Sequence, residues 1–354
     1  MLIWNFILFL LNTIIIMNYY QYNYSQPFEL ECGKTLNNIT IGYHTAGKLN
    51  KNKDNVIWVC HALTANSDVF DWWNGLFGES DLFNPNDHFI VCANVIGSNY
   101  GSTNPLSINS ETNKAFFREF PLITIKDMAN AHQLLAEYLE IQEINLLIGG
   151  SLGGQQALEF TLLNKIKVNN LVLLATNAVH SPWGIAFNES QRLSIEADSS
   201  FYEDTIDGGN NGLIAARTIA MLSYRTAEIY DFKQKDDNNT LNDFKASSYQ
   251  KYQGTKLANR FNAYSYWYLS KAMDSHNIAR GREADVKNVL STIKAKTKVI
   301  GISSDILFPP NEQEFIANHI PNASFHIVDS IYGHDGFLVE IDVIKEIIKD
   351  FVFV

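Results

Sequence analysis

Gly149-Gly150-Ser151-Leu152-Gly153 sets a serine among glycines, directly after the apolar run INLLIG and directly before LGGQQALEFTLLNK. A strand-to-helix turn that tight needs glycine neighbours, since side chains there would clash, and it lifts the serine hydroxyl above the sheet edge. The helix N-terminus beneath it favours developing negative charge. The chemistry is nucleophilic: a hydroxyl needs a histidine base at neutral pH, and that histidine needs a carboxylate to fix its tautomer. Asp305 follows KTKVIGI in GISSDILFPP, and His334 lies in IYGHDGF after SFHIVD. Both therefore stand at C-terminal strand ends, where an open α/β sheet gathers its site. Ser151, Asp305 and His334 are the expected catalytic triad.

The rivals read differently. His44, His88, His132, His276 and His319 lie in early, helical or polar surface contexts, and His326 falls inside a strand pattern, a packed position. Asp329 is too near His334 in sequence to come from a separate strand end. An acyl-serine reaction also needs backbone N–H donors for its oxyanion. Leu152, the residue after the nucleophile, supplies one, and the loop Cys60-His61-Ala62-Leu63-Thr64 supplies the other through Leu63 or Thr64. Cys60 and His61 are strand neighbours that point to opposite faces, which assigns both structural roles rather than a thiol–imidazole pair.

The elements that must position these groups alternate. Apolar runs at 56–60, 89–94, 145–148, 171–175, 297–302 and 324–328 read as strands, separated by helical patterns. Thr124 with Asp127 three residues on starts one helix, a second follows Ser151, and a last one covers 338–351. This is the signature of a mostly parallel sheet with helices on both faces. The order serine, acid, histidine resembles the α/β-hydrolase fold. Between 179 and 290 the strands stop and aromatic-rich helical segments take over, including 262–273. The expected organisation is a core at 27–178 and 291–354 interrupted by a helical lid at 179–290.

With 354 residues, 46% hydrophobic, the chain can bury a full core, and its net charge of −11 excludes a general nucleic-acid binder. Three cysteines without CxxC spacing indicate neither a disulfide framework nor a zinc site and point to a reducing compartment. The apolar stretch at 1–16 lacks a basic n-region and a cleavage site, and Met17 opens a polar stretch, so translation is expected to begin at Met17 and the protein to form no stable membrane association.

Eight ordered blocks narrow the chemistry: GYHTAGKLN (42–50), CHALTANSDV (60–69), ANVIGSNYGSTNP (93–105), FPLITIKDM (120–128), GGSLGGQQALEF (149–160), RTIAMLSYR (217–225), SSDILFPP (303–310) and GHDGFLVE (333–340). Together they resemble the homoserine O-acetyltransferase family of methionine biosynthesis, with Ala65 where glycine is usual and Leu152 where methionine is commoner. The resemblance implies a ping-pong transfer of acetyl from acetyl-CoA to the hydroxyl of L-homoserine, with no permanently bound cofactor and no metal. It implies that Arg217 and Tyr224 hold the substrate carboxylate and Asp335 its ammonium, and that two lids pair in a cytoplasmic homodimer. Relatives with these motifs also use succinyl-CoA or serine, and a plain serine esterase is the remaining alternative.

Overall fold

Runs of aliphatic residues form one eight-stranded sheet in the computed structural model, which describes residues 16–352. Of the N-terminal extension expected at 1–16, all but Ile16 lies outside the described residues. The strands are β1 (Asn18–Tyr24), β2 (Ile39–Ala46), β3 (Val56–Cys60), β4 (Phe89–Ala93), β5 (Glu143–Gly150), β6 (Lys167–Leu174), β7 (Lys296–Ile302) and β8 (Ala323–Val328). Their order is β1-β2-β4-β3-β5-β6-β7-β8. From β4 to β8 every pairing is parallel, while β1 and β2 join antiparallel at one end. All six expected strands belong to the parallel part. β1 and β2 were not foreseen, because NYYQYNY is largely exposed and carries no continuous apolar face.

The helices are α1 (Ile125–Tyr138), α2 (Leu152–Leu163), α3 (Pro182–Glu196), α4 (Asn210–Tyr224), α5 (Ala227–Lys233), α6 (Lys245–Ala258), α7 (Ala263–Asp274), α8 (Val286–Ser291), α9 (Pro310–His319) and α10 (Ile341–Val352). Alternation in β3 feeds two cores: Val56, Trp58 and Cys60 face Met128, Leu158 and Ile316 from α1, α2 and α9, whereas Ile57 and Val59 face the side holding Ile344 and Ile348 of α10. A sheet covered on both faces explains why its central strands read as continuous apolar runs. α1 begins in the expected capping box: Asp127 N–H donates to Thr124 Oγ1 at 3.1 Å and Thr124 N–H to Asp127 Oδ2 at 2.9 Å. The last helix starts at Ile341 rather than at 338, since Glu340 leaves helical geometry after a separate turn at Gly336–Val339.

Between β6 and β7 lie six helices, α3 to α8, and no strand. Arg192 of α3, 1% exposed, ties this segment together: its Nη1 donates to Ser270 Oγ at 3.0 Å and its Nη2 bonds Asp274, both on α7. No helix among the described residues is long and apolar enough to cross a membrane.

Candidate active site

Ser151 occupies the turn between β5 and α2 with φ 57 and ψ −126, a backbone conformation that L-residues avoid unless their surroundings impose it. The surroundings are backbone on backbone. A Cβ on Gly153 would sit 2.1 Å from the Cys60 carbonyl oxygen, so only glycine lets the first turn of α2 close on the end of β3. Ser151 N–H donates to Leu174 O at 2.9 Å, and Thr176 Oγ1 donates to Ser151 O at 2.8 Å, which fixes the turn against β6.

Asp305 and His334 meet at this serine although 29 residues separate them from one another and 183 separate Ser151 from His334. His334 Nε2 lies 2.9 Å from Ser151 Oγ, and His334 Nδ1 lies 2.7 Å from Asp305 Oδ2. Asp305 Oδ1 accepts from Leu307 N–H at 2.8 Å and Phe308 N–H at 2.9 Å, so the carboxylate is oriented before it reaches the ring. The imidazole is stacked on Phe308 at 5.0 Å and flanked by Phe337 at 5.4 Å. All three residues are buried to within 6%. A serine hydroxyl, a base and an orienting acid in hydrogen-bonded series is the constellation that makes a nucleophilic serine.

Two serines that sequence reading passed over join the acid and histidine loops. Ser304 Oγ accepts from Gly333 N–H at 3.0 Å and donates to Ser330 O at 2.5 Å. Ser303 Oγ accepts from Ser330 N–H at 3.1 Å and donates to Asp329 Oδ1 at 2.9 Å. Asp329, the rival acid, is thus engaged away from His334. His326 is exposed on the edge strand β8, which corrects the expectation of a packed position: β8 has no neighbour beyond it in the sheet.

The expected oxyanion donors surround the serine. Leu152 opens α2, so its N–H precedes the first intrahelical bond, and Leu63 and Thr64 line the same cavity as Ser151. Cys60 is buried, and its thiol is pushed well above the usual range by desolvation. Burial lowers His61 to about 4 and keeps it neutral. Both are structural, as the strand geometry implied.

That cavity holds about 490 Å³ and is walled by Arg217, Tyr224, Lys256, Arg260 and Asp335 besides the loop and the triad. Arg217 and Tyr224 share one face of α4, with the guanidinium 5.2 Å from the ring centroid, and Tyr224 stands 5.7 Å from the His334 ring. Burial raises the Tyr224 phenol, which stays protonated and able to donate. Asp335 is not free: Arg225 Nε donates to its Oδ2 at 2.6 Å, and Thr226 Oγ1 donates to Ile331 O at 2.5 Å, pinning the end of α4 to the histidine loop. Arg225 closes the quoted block RTIAMLSYR, yet nothing in its spacing announces a partner 110 residues away.

Comparison with known proteins agrees with this geometry. A family model described as the alpha/beta hydrolase fold matches residues 55–341. A homoserine O-acetyltransferase of Cyclobacterium marinum is 47% identical over 326 residues, covering 92% of this chain and 93% of its own. The homoserine O-acetyltransferase structure from Bacillus anthracis superposes with a TM-score of 0.85 at 22% identity over 95% of this chain and 98% of its own. Esterase E22 superposes equally well, with a TM-score of 0.86 at 19% identity over 95% and 100%. The backbone alone therefore does not separate transferases from hydrolases.

Proposed function

We propose, for a chain that belongs to the homoserine O-acetyltransferase family of the α/β-hydrolase fold, a transfer of acetyl from acetyl-CoA to the side-chain hydroxyl of L-homoserine through acetyl-Ser151. The observation that carries it is the hydrogen-bonded series Asp305–His334–Ser151 at the floor of a cavity whose walls hold Arg217, Tyr224 and Asp335. His334 Nε2 takes the Ser151 proton as Oγ attacks the thioester carbonyl, and the oxyanion falls to the N–H groups of Leu152 and of Leu63 or Thr64. Collapse expels the CoA thiolate, which leaves with the proton from His334. Homoserine then enters, His334 removes its hydroxyl proton, attack on the acetyl carbonyl forms a second tetrahedral intermediate, and Ser151 Oγ leaves with that proton.

The acceptor is a zwitterion, and the wall residues complement it. Arg217 presents a guanidinium fork to the carboxylate and Tyr224 a phenol donor. Arg225 occupies Asp335 Oδ2, which leaves Oδ1 for the ammonium. Between α3 and α8 the helices act as the lid over residues 179–290, roofing the acyl-serine so that transfer outruns hydrolysis. Leu193, Leu222, Phe232 and Tyr252 on this segment are exposed, and a lid-to-lid homodimer would cover such side chains. The setting is the cytoplasm, in keeping with unpaired Cys60 and Cys92 and with acetyl-CoA as a passing co-substrate rather than a resident cofactor.

The test follows free thiol with acetyl-CoA or succinyl-CoA, with and without homoserine or serine. Thiol release that requires homoserine and prefers acetyl-CoA is the expected result. Steady release without any acceptor would make the protein a hydrolase, and a preference for succinyl-CoA or serine would reassign donor or acceptor.

A further inference from the structure

Residues 62–65 form a turn closed by Ala65 N–H donating to Ala62 O at 3.0 Å. Such a turn engages its first carbonyl and last N–H, and leaves the N–H groups of its two middle residues, Leu63 and Thr64, to face a ligand. One side of the turn is fixed from the core. His61 Nδ1–H donates to Ala62 O at 2.8 Å, while its Nε2 accepts from Val95 N–H at 3.1 Å, a single neutral tautomer. Gln156 of α2 donates to His61 O at 3.0 Å.

The other side is held from the helical segment. Arg260, two residues past the end of α6, donates from Nη1 to Thr64 O at 2.5 Å and to Tyr100 Oη at 2.6 Å, and its Nη2 reaches Thr64 Oγ1 at 3.5 Å. Its own carbonyl accepts from Asn99 Nδ2 at 3.0 Å, so residue 260 is tied to the core at both ends. We infer that Arg260 is a positioning residue for the oxyanion turn: by fixing the peptide that follows Thr64, it holds the Leu63 and Thr64 N–H groups in place before negative charge develops. Donors fixed in advance pay no reorganisation as the tetrahedral intermediate forms, and a charge-assisted bond to a carbonyl is a stiff way to fix them. The inference rests on the acyl-Ser151 reading and adds that the segment above the site sets the geometry of its floor. A guanidinium beside Lys256 in the same cavity could instead serve as a phosphate contact for the donor, and the choice of donor separates the two.

The experiment measures the acylation burst with p-nitrophenyl acetate, which has no phosphate, and with acetyl-CoA, in the wild type, Arg260→Met, Arg260→Lys and Ser151→Ala, with thermal unfolding as a check on folding. Arg260→Met is expected to slow the burst with both donors by about tenfold or more, less than the ~10²–10³-fold loss on removing an oxyanion donor itself. The KM for acetyl-CoA stays near wild type, and lysine restores part of the rate. A full burst with p-nitrophenyl acetate and a raised KM for acetyl-CoA would overturn the inference in favour of a phosphate contact. If the methionine variant does not fold, Arg260→Lys decides alone, because it loses the fork and must show the slower burst. A burst that survives in Ser151→Ala would remove the acyl-serine reading, whereas its loss there alongside a full burst in Arg260→Met removes only the role of Arg260.

Discussion

At the scale of residues, the site divides into groups that make an acyl-serine and groups that choose what receives it. Ser151, His334 and Asp305 are complete without the lid residues, and the overlap with an esterase fold says the same thing at the level of the backbone. Acceptor choice falls to Arg217, Tyr224 and Asp335. Arg217→Lys keeps the charge but loses the planar fork. Its KM for homoserine is expected to rise about 10- to 100-fold, the worth of a charge-assisted hydrogen bond, while the acetylation burst from acetyl-CoA is unchanged. A slowed burst in steady-state and rapid-mixing comparison would place Arg217 in the first half-reaction instead. The triad was legible in the sequence because each member sits at a strand end beside recognisable apolar runs. Arg225 and Arg260 were not, because their partners lie 110 and 196 residues away and neither falls in a spacing that marks a role.

At the scale of elements, periodicity exposed the buried strands and missed the covered edge. β3 to β8 read plainly, since central parallel strands are apolar on both faces. β1 alternates polar and aromatic residues in an exposed position and was passed over as a polar stretch. Helix starts with side-chain caps were equally readable: Thr124, and Asn262, whose Oδ1 accepts from Ser265 N–H at 2.8 Å. The contact between α3 and α7 was hidden, because a lone Arg192 in a helical pattern looks like a surface cation. It is 1% exposed and bonded to Asp274. Arg192→Ala leaves that carboxylate without its counter-charge, and chemical denaturation is expected to show a loss of about 3–5 kcal/mol. A loss within the ~0.5 kcal/mol typical of surface changes would show that the pair does not hold the helices together.

At the scale of the molecule, burial of histidines links stability to pH. Desolvation lowers His61 and His180 to about 4 and His132 and His276 to about 3, so all four are neutral in the fold. Below the ordinary value near 6.5 the unfolded chain takes up protons that the folded chain refuses, so stability falls as pH falls, by about 1.4 kcal/mol per pH unit for each histidine. Asp127, Glu159, Asp274 and Glu312 are raised by burial and act oppositely, protonation favouring the fold. The histidine effect therefore stands clear between about 6.5 and about 5, above the carboxylate range. Thermal unfolding followed across that interval is expected to show a falling Tm, and a flat or rising Tm would mean that these rings are solvated. Net charge and composition excluded whole classes of function but said nothing of this, since which histidines are buried emerges only when the sheet, α1 and the helical segment pack.

The central claim is a covalent relay at Ser151, and intact-protein mass spectrometry after mixing with acetyl-CoA alone tests it most directly. The account predicts one added acetyl group, located on the peptide that carries Ser151, absent in Ser151→Ala, and discharged on adding L-homoserine with O-acetylhomoserine appearing in equal amount. An unmodified protein that still forms O-acetylhomoserine, or an acetyl group on another residue that turns over, would contradict it.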